Sequence, residues 1–149
     1  MMGTVAPKTP PPREAIMTAP LPIRALHHVA RLTNRLEASR AFYRDVLGFR
    51  EIPRPDLRFP GAWLENYGLQ IHLITDASLT GPQGEIQTRA DHLAFLVDDV
   101  DTVERLLAEH GVERRVNVQA DTGLKQVFFR DPDGHHVEVG SYPARGGPA

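Results

Sequence analysis

The stretch HVARLTNRLEASRAFY, residues 28–43, decides the fold because a second stretch of the chain repeats its pattern. Moved 64 positions, from 28 to 92, it lies over HLAFLVDDVDTVERLL, residues 92–107. Three pairs of identical residues then coincide: His28 with His92, Ala30 with Ala94, and Leu32 with Leu96. Each copy opens with the alternation of a strand and continues with the periodicity of an amphipathic helix. Such an internal repeat predicts two copies of one folding unit.

The residues that follow complete the two units. The first unit is predicted to contain a strand in residues 23–33, a helix in 34–49, and strands near 49–54, 61–66 and 69–75. The second is predicted to contain a strand in 91–97, a helix in 98–111, and strands near 113–119, 124–130 and 135–140. The chain is therefore predicted to be an α+β protein of two βαβββ modules, at about residues 23–75 and 89–141.

The first helix carries signals at both ends. Asn34 with Glu37 three residues later has the spacing of a capping box, and Gly48 is placed to end the helix. Apolar residues fall at helical spacing between them and are predicted to be core: Leu36, Phe42, Tyr43, Val46 and Leu47.

Composition narrows the class of protein. The chain has 149 residues, 41% hydrophobic and 24% charged, which suits one globular domain, predicted over residues 22–142. Its net charge is only -2 and no basic run occurs, which argues against nucleic acid as a partner. No apolar run approaches the roughly 18 to 20 residues of a membrane span, so no membrane partner is expected. Cysteine is absent, so any metal ion must be held by histidine and carboxylate.

The two ends of the chain differ from its middle in their predicted order. Residues 1–21 include five prolines in the first 20 positions and no apolar core of a secretory signal, so they are predicted to be a disordered tail. Residues 143–149 are predicted to be a flexible C-terminal tail. The cytoplasm is the expected location.

Four chemistry-bearing residues occupy equivalent positions of the repeat. Moved 66 positions, from 72 to 138, QIHLI lies over HVEVG, so His72 falls on Glu138, just as His28 falls on His92. Two units packed about a pseudo-two-fold axis bring equivalent strand positions together, so these three imidazoles and one carboxylate are predicted to converge. They suit one divalent ion, Zn, Ni, Co, Mn or Fe(II), and no organic cofactor is indicated.

Such an ion would perform Lewis-acid chemistry on a small oxygenated substrate, with Glu138 as base or, alternatively, His72. Trp63 is the only tryptophan and is expected either to line the substrate pocket or to pack in the core. His135 and His136 follow the turn DPDG and are expected to be exposed, while His27 and His110 are not ligand candidates.

Four longer motifs carry a family resemblance: LHHVARLTNRLEASRAFYRDVLGF, GAWLENYGLQIHLI, DHLAFLVDDVD and QVFFRDPDGHHVEV. As a set, spanning residues 23 to about 141, they resemble the vicinal oxygen chelate superfamily, which includes glyoxalase I. The resemblance implies paired βαβββ modules that form a cup-shaped mixed sheet, a small-molecule substrate and a homodimer. It also implies metal ligands on the first and last strand of each module, at His28, His72, His92 and Glu138.

The resemblance leaves several reactions open. Glyoxalase I generally carries a glutamate at the position of His72, and methylmalonyl-CoA epimerases generally carry a glutamine there and an acid near Trp63 or Glu65. Metal-assisted proton transfer, as in a lyase or isomerase, is the main expectation. The alternatives are an Fe(II) dioxygenase that uses His28, His92 and Glu138, a thiol transferase, and a metal-free protein that binds drugs. The modules pair either within one chain or by exchange between two.

Overall fold

Each module forms a four-stranded mixed sheet with helical structure on one side. The computed structural model describes residues 19–143, so the predicted tails at 1–21 and 143–149 lie outside it except at their inner ends. The first module consists of β1 (His28–Thr33), α1 (Leu36–Ala41), β2 (Arg50–Ile52), β3 (Gly61–Asn66) and β4 (Leu69–Thr75). Its strand order is β1-β4-β3-β2, with β1 parallel to β4 and the other neighbours antiparallel.

The second module repeats this topology. It consists of β5 (His92–Leu96), α2 (Val100–Glu109), β6 (Arg114–Val118), β7 (Lys125–Arg130) and β8 (His136–Gly140). Its strand order, β5-β8-β7-β6, has the same parallel and antiparallel pairs as the first sheet. The predicted α+β class and the two βαβββ modules are therefore confirmed.

The strand register repeats as well. A row across the first sheet reads Ala30, His72, Trp63. The corresponding row across the second sheet reads Ala94, Glu138, Phe128. His72 and Glu138 thus occupy the same place in their sheets, as the comparison of the two repeats predicted. Because side chains alternate along a strand, all members of a row lie on the same face of their sheet.

The first helix differs from its prediction at the start. It begins at Leu36, and no side chain caps it, so the capping-box interpretation is wrong. The side-chain amide of Asn34 instead donates to the carbonyl of Leu79, and the backbone N–H of Arg35 donates to Thr33 Oγ1 at 2.9 Å. After Ala41 the helix widens into a π-helical turn, Phe42–Val46, and Gly48 ends it at φ +74° as predicted.

The first strand is shorter than predicted. It begins at His28, not at residue 23, because its parallel partner β4 starts at Leu69 and His28 is already opposite Gln70. Residues 19–27 have no neighbouring strand to pair with and are exposed.

The two modules pack through their helical sides. The ring of Phe42 lies 6.3 Å from that of Phe129, and Tyr43 donates to the buried carboxylate of Asp131 at 3.0 Å. Asp133 accepts from the hydroxyl of Ser39 at 2.7 Å. The predicted core residues of the first helix all belong to this packing: Phe42 and Tyr43 are buried, and Leu36, Val46 and Leu47 pack partly buried against the core.

Within residues 19–143, none of the helices has the length and apolar character needed to cross a bilayer.

Candidate metal centre

The first half-site consists of His28 on β1 and His72 on β4. Their rings stack with centroids 4.0 Å apart and an angle of 11° between planes. The indole of Trp63 stacks on the other side of His72, at 4.3 Å and 8°. His72 is therefore held flat between two rings and is only 8% exposed. The strand register explains this arrangement, because Trp63 and His72 are directly opposite on neighbouring strands.

Hydrogen bonds fix which ring nitrogen of His72 is free. Its Nε2 lies 3.0 Å from Oε1 of Gln70, and an amide oxygen can only accept, so Nε2 carries the hydrogen. Nδ1 of His72 then keeps its lone pair. On the neighbouring ring, Nδ1 of His28 lies 3.0 Å from Nδ1 of His27, which leaves Nε2 of His28 without a protein partner among the described residues.

The surroundings of His72 favour its neutral form. Burial lowers the pKa of His72, and the nearby His28, His27 and Arg54 lower this pKa further. A neutral imidazole is the form that binds metal ions or accepts a proton.

The second half-site consists of His92 on β5 and Glu138 on β8. Nε2 of His92 lies 2.8 Å from Oε2 of Glu138. Nδ1 of His92 lies 2.7 Å from the carbonyl oxygen of Ala90 and must donate to it, which leaves Nε2 aimed at the carboxylate. The ring of Phe128 packs edge to face with His92 at 5.7 Å. The bond from Nδ1 to a backbone carbonyl is the usual way in which a metal-binding histidine is oriented.

Two further residues hold the other oxygen of Glu138. The side-chain amide of Gln126 and the hydroxyl of Tyr142 both donate to Oε1. Burial, and next the bond to Glu138, raise the pKa of Tyr142, so its phenol remains a donor at neutral pH. Gly140 makes room for the phenol ring, because a Cβ at Gly140 would lie 2.7 Å from Cζ of Tyr142. The two oxygens of Glu138 thus have different partners: Oε1 is held by Gln126 and Tyr142, and Oε2 lies beside Nε2 of His92.

Sequence reasoning missed Gln70, Gln126 and Tyr142. Strand alternation contained a signal for the first two, since Gln70 shares a face with His72, and Gln126 lies diagonally across from Glu138 on the neighbouring strand. Tyr142 follows the last strand, and no pattern in the sequence indicates its position.

The two half-sites are not gathered in one place within the chain. Across residues 19–143, no group of three or more His, Cys, Asp or Glu side chains is close enough to hold one metal ion. The structure therefore brings His28 to His72 and His92 to Glu138, and it keeps the two pairs apart.

The other histidines have separate roles. His136 was expected to be exposed, but it is partly buried, and its Nε2 accepts from the backbone N–H of Gln87 at 3.0 Å. Burial lowers the pKa of His136, as does the nearby Arg130. His135 was also expected to be exposed; it is partly buried and bonds the carbonyl of Leu32 at 2.7 Å. His135 differs from expectation because the DPDG turn packs against the first module, and His136 differs because the segment that connects the modules donates to its ring. His110 caps the end of α2.

Each half-site lies at the edge of its sheet. His28 and His92 are the first residues of β1 and β5, which are edge strands. On the same faces, Leu32 is 42% exposed and Leu96 is 66% exposed. An apolar groove of about 670 Å³ runs beside β5 and includes Phe95, Leu96 and Leu106 in its lining. Exposed apolar side chains next to free strand edges are typical of a surface that another chain covers.

The four residues fit a divalent ion by donor chemistry. Nε2 of His72 and Nδ1 of His92 each lie beside an oxygen acceptor. The other nitrogen of each ring, Nδ1 of His72 and Nε2 of His92, is the one that could bind an ion. Glu138 has one oxygen held by two donors and the other beside His92. Three imidazole nitrogens and one carboxylate oxygen are ligands that Zn, Ni, Co, Mn and Fe(II) accept.

Comparisons with known proteins agree with this architecture. A family model described as the Glyoxalase/Bleomycin resistance protein/Dioxygenase superfamily matches residues 25–139. Glyoxylase I 4 from Arabidopsis thaliana is 35% identical over 130 residues, which cover 80% of this chain and 72% of the plant protein.

A metallothiol transferase from Lysinibacillus sphaericus is 28% identical over 119 residues, which cover 78% of this chain and 81% of the transferase. Among solved structures, a glyoxalase/dioxygenase from Nostoc punctiforme superposes with a TM-score of 0.69 at 25% identity. That alignment covers 87% of this chain and 99% of the Nostoc chain.

Proposed function

The chain belongs to the glyoxalase/bleomycin resistance protein/dioxygenase superfamily, and from this premise we propose that it is a divalent-metal enzyme of glyoxalase type. The proposed reaction is a proton transfer on a small oxygenated or thioester-linked metabolite, as catalysed by a lyase or isomerase. The observation that carries the proposal is the clamped carboxylate: Glu138 has Oε1 held by two donors and Oε2 placed 2.8 Å from Nε2 of His92.

The proposed ligands are His28, His72, His92 and Glu138. When bound, a divalent ion supplies Lewis-acid polarisation of a substrate oxygen, which acidifies the neighbouring carbon. The clamp on Oε1 disfavours Glu138 as a mobile base, since any swing of the carboxylate breaks bonds to Gln126 and Tyr142. His72 has a single free lone pair, on Nδ1, so it serves either as the fourth ligand or as the base, but not as both. If His28, His92 and Glu138 alone hold the ion, His72 is a stronger candidate than Glu138 to take the proton from one carbon and return it to the next. Trp63 would form a wall of the substrate pocket, because it stacks on His72.

The proposal includes a homodimer in which each centre draws on two copies of the chain. Its support is the separation of the half-sites within one chain and the edge position of β1 and β5. In an isologous pair, β1 of one copy would meet β5 of the other, and the first half-site would face the partner's second half-site. Leu32 and Leu96 would be covered by the same contact.

Thiol transfer to a small electrophile is the second candidate. The 28% identity with the metallothiol transferase favours it. In that reaction, three ligands, His28, His92 and Glu138, would suffice, and His72 would be left to position the substrate.

Metal content of the purified full-length chain tests the proposal. We expect one divalent ion per centre by elemental analysis, and loss of the ion in Glu138→Ala. His72→Ala separates two roles, because a ligand variant loses the ion whereas a base variant keeps it and loses turnover. Assays of hemithioacetal isomerisation, acyl-CoA epimerisation, catechol cleavage and thiol transfer then assign the reaction. Negligible metal, unaffected by either substitution, would refute the metalloenzyme and favour a metal-free binding protein.

A further inference from the structure

Arg54 lies on the same face of the first sheet as the candidate centre. It follows β2, whose last residue, Ile52, is opposite Trp63. Two residues further on, the guanidinium lies over Gly61: a Cβ at Gly61 would be 3.2 Å from Nη2 of Arg54. A Cβ at Gly61 would also clash with the carbonyl oxygen of Leu73, so the close approach of β4 requires the glycine, and the guanidinium of Arg54 packs over it.

The guanidinium is held by groups that leave its charge unbalanced. Nη2 of Arg54 donates to the carbonyl of Phe59 at 3.0 Å, and the guanidinium carbon lies 4.8 Å from the centre of the Phe59 ring. In residues 19–143, Arg54 forms no ion pair with a carboxylate, whereas Arg50 on the same face pairs with Glu65. A carbonyl and an aromatic ring orient a guanidinium but do not neutralise it.

This charge lies on the face of the sheet that carries the first half-site. Ile52, two residues before Arg54, is opposite Trp63, and Trp63 is opposite His72. His72 in turn stacks on Trp63, so the guanidinium, the indole and a candidate ligand share one region of the sheet face. A fixed, unpaired guanidinium beside a substrate pocket attracts an oxyanion and can bind it with two parallel hydrogen bonds.

We infer that Arg54 binds a carboxylate, phosphonate or phosphate group of the substrate and so selects anionic substrates. This inference rests on the proposed function for the location of the substrate, but the anion site itself needs no metal ion. Phe59 is then a positioning residue, since its carbonyl and its ring orient the guanidinium. The reacting oxygens of the substrate would lie toward His28 and His72, and its anionic group toward residues 53–60.

Quenching of Trp63 fluorescence tests the inference, because Trp63 is the only tryptophan. Full-length protein is titrated with iodide, an anion, and with neutral acrylamide, both as purified and after treatment with EDTA. A unit charge within a Debye length raises the local concentration of a monovalent counterion about twofold. We therefore expect Arg54→Gln to lower the iodide quenching constant about twofold and to leave that for acrylamide unchanged.

Two control variants and one competing anion show whether the change in iodide quenching is due to the charge of Arg54. Arg58→Gln removes an exposed charge from the same loop and should change neither constant by a comparable amount. Arg54→Lys keeps the charge and should preserve iodide quenching. Inorganic phosphate should protect the wild type from iodide but not Arg54→Gln. Equal iodide constants in wild type and Arg54→Gln, with unchanged thermal unfolding, would overturn the inference. Because the EDTA-treated sample gives this result without metal, a failed anion site is distinguishable from a failed metal centre.

Discussion

The imidazole of His72 lies flat against the indole of Trp63, with ring centroids 4.3 Å apart and 8° between the planes. The single tryptophan of the chain thus reports directly on a candidate ligand. Co²⁺ bound near His72 should quench Trp63 fluorescence in a saturable way. Glu138→Gln should shift this titration to higher Co²⁺ concentration, whereas His110→Asn, which removes an imidazole at the end of α2, should leave it unchanged. Quenching that does not saturate, or that is identical in Glu138→Gln, would contradict metal binding at this site.

Removing the Tyr142 hydroxyl should weaken metal binding without unfolding the chain. Tyr142→Phe loses one of the two donors to Oε1 of Glu138, and residues that orient ligands typically change metal affinity about 10- to 100-fold. Isothermal titration with Zn²⁺ measures the dissociation constant. Gly140→Ala should act in the same direction, because its Cβ would displace the phenol ring. Unchanged Zn²⁺ affinity in both variants would show that the clamp does not position Glu138.

The buried carboxyl of Asp131 should give the unfolding free energy a definite pH dependence. Burial raises the pKa of Asp131 above its ordinary value of 3.8, against the opposing effect of bonds from His135 and Tyr43. Between the ordinary pKa of the unfolded chain and the raised pKa of the folded chain, the folded chain binds more protons at Asp131 than the unfolded chain does. The contribution of Asp131 to stability is therefore lost as pH rises through the folded pKa.

Asp131→Asn removes this titration while keeping the shape of the side chain. The unfolding free energy of the variant minus that of the wild type should therefore rise with pH above 3.8 and then level off. Urea unfolding, followed by Trp63 fluorescence at a series of pH values, measures this difference. A difference that is constant or falls with pH would contradict the role of burial.

The hydroxyl of Tyr43 should contribute to the contact between the modules. It is fully buried and donates to Asp131 at 3.0 Å, so Tyr43→Phe leaves a buried carboxylate with one donor fewer. The expected loss is about 1 to 3 kcal/mol of unfolding free energy. Tyr67→Phe is the comparison variant, because its hydroxyl donates to the carbonyl of Leu47 on a tyrosine that is 64% exposed, where water can replace the bond. Tyr43→Phe with the unfolding free energy of the wild type would mean that the Asp131 bond adds nothing net.

The sequence predicted the topology and the equivalence of His72 with Glu138 because both follow from strand alternation within a repeat. It did not predict the hydrogen bond of the Asn34 side chain. Instead of capping the helix that follows, the amide of Asn34 donates to the carbonyl of Leu79, 45 positions away. Tyr142 could not be foreseen because its place depends on the open space above Gly140. The separation of the half-sites depends on how whole modules pack, and local patterns do not encode this.

Mixing complementary variants tests the central claim, a metal centre built from two half-sites on different copies. One chain carries His28→Ala and His72→Ala, and the other carries His92→Ala and Glu138→Ala; each alone should bind no metal. After the two are unfolded together and refolded at equal concentration, half of the dimers are mixed, and each mixed dimer holds one complete centre. We predict recovery of about a quarter of the wild-type metal content, measured by elemental analysis. No recovery, with a wild type that binds metal as a monomer, would contradict a shared centre.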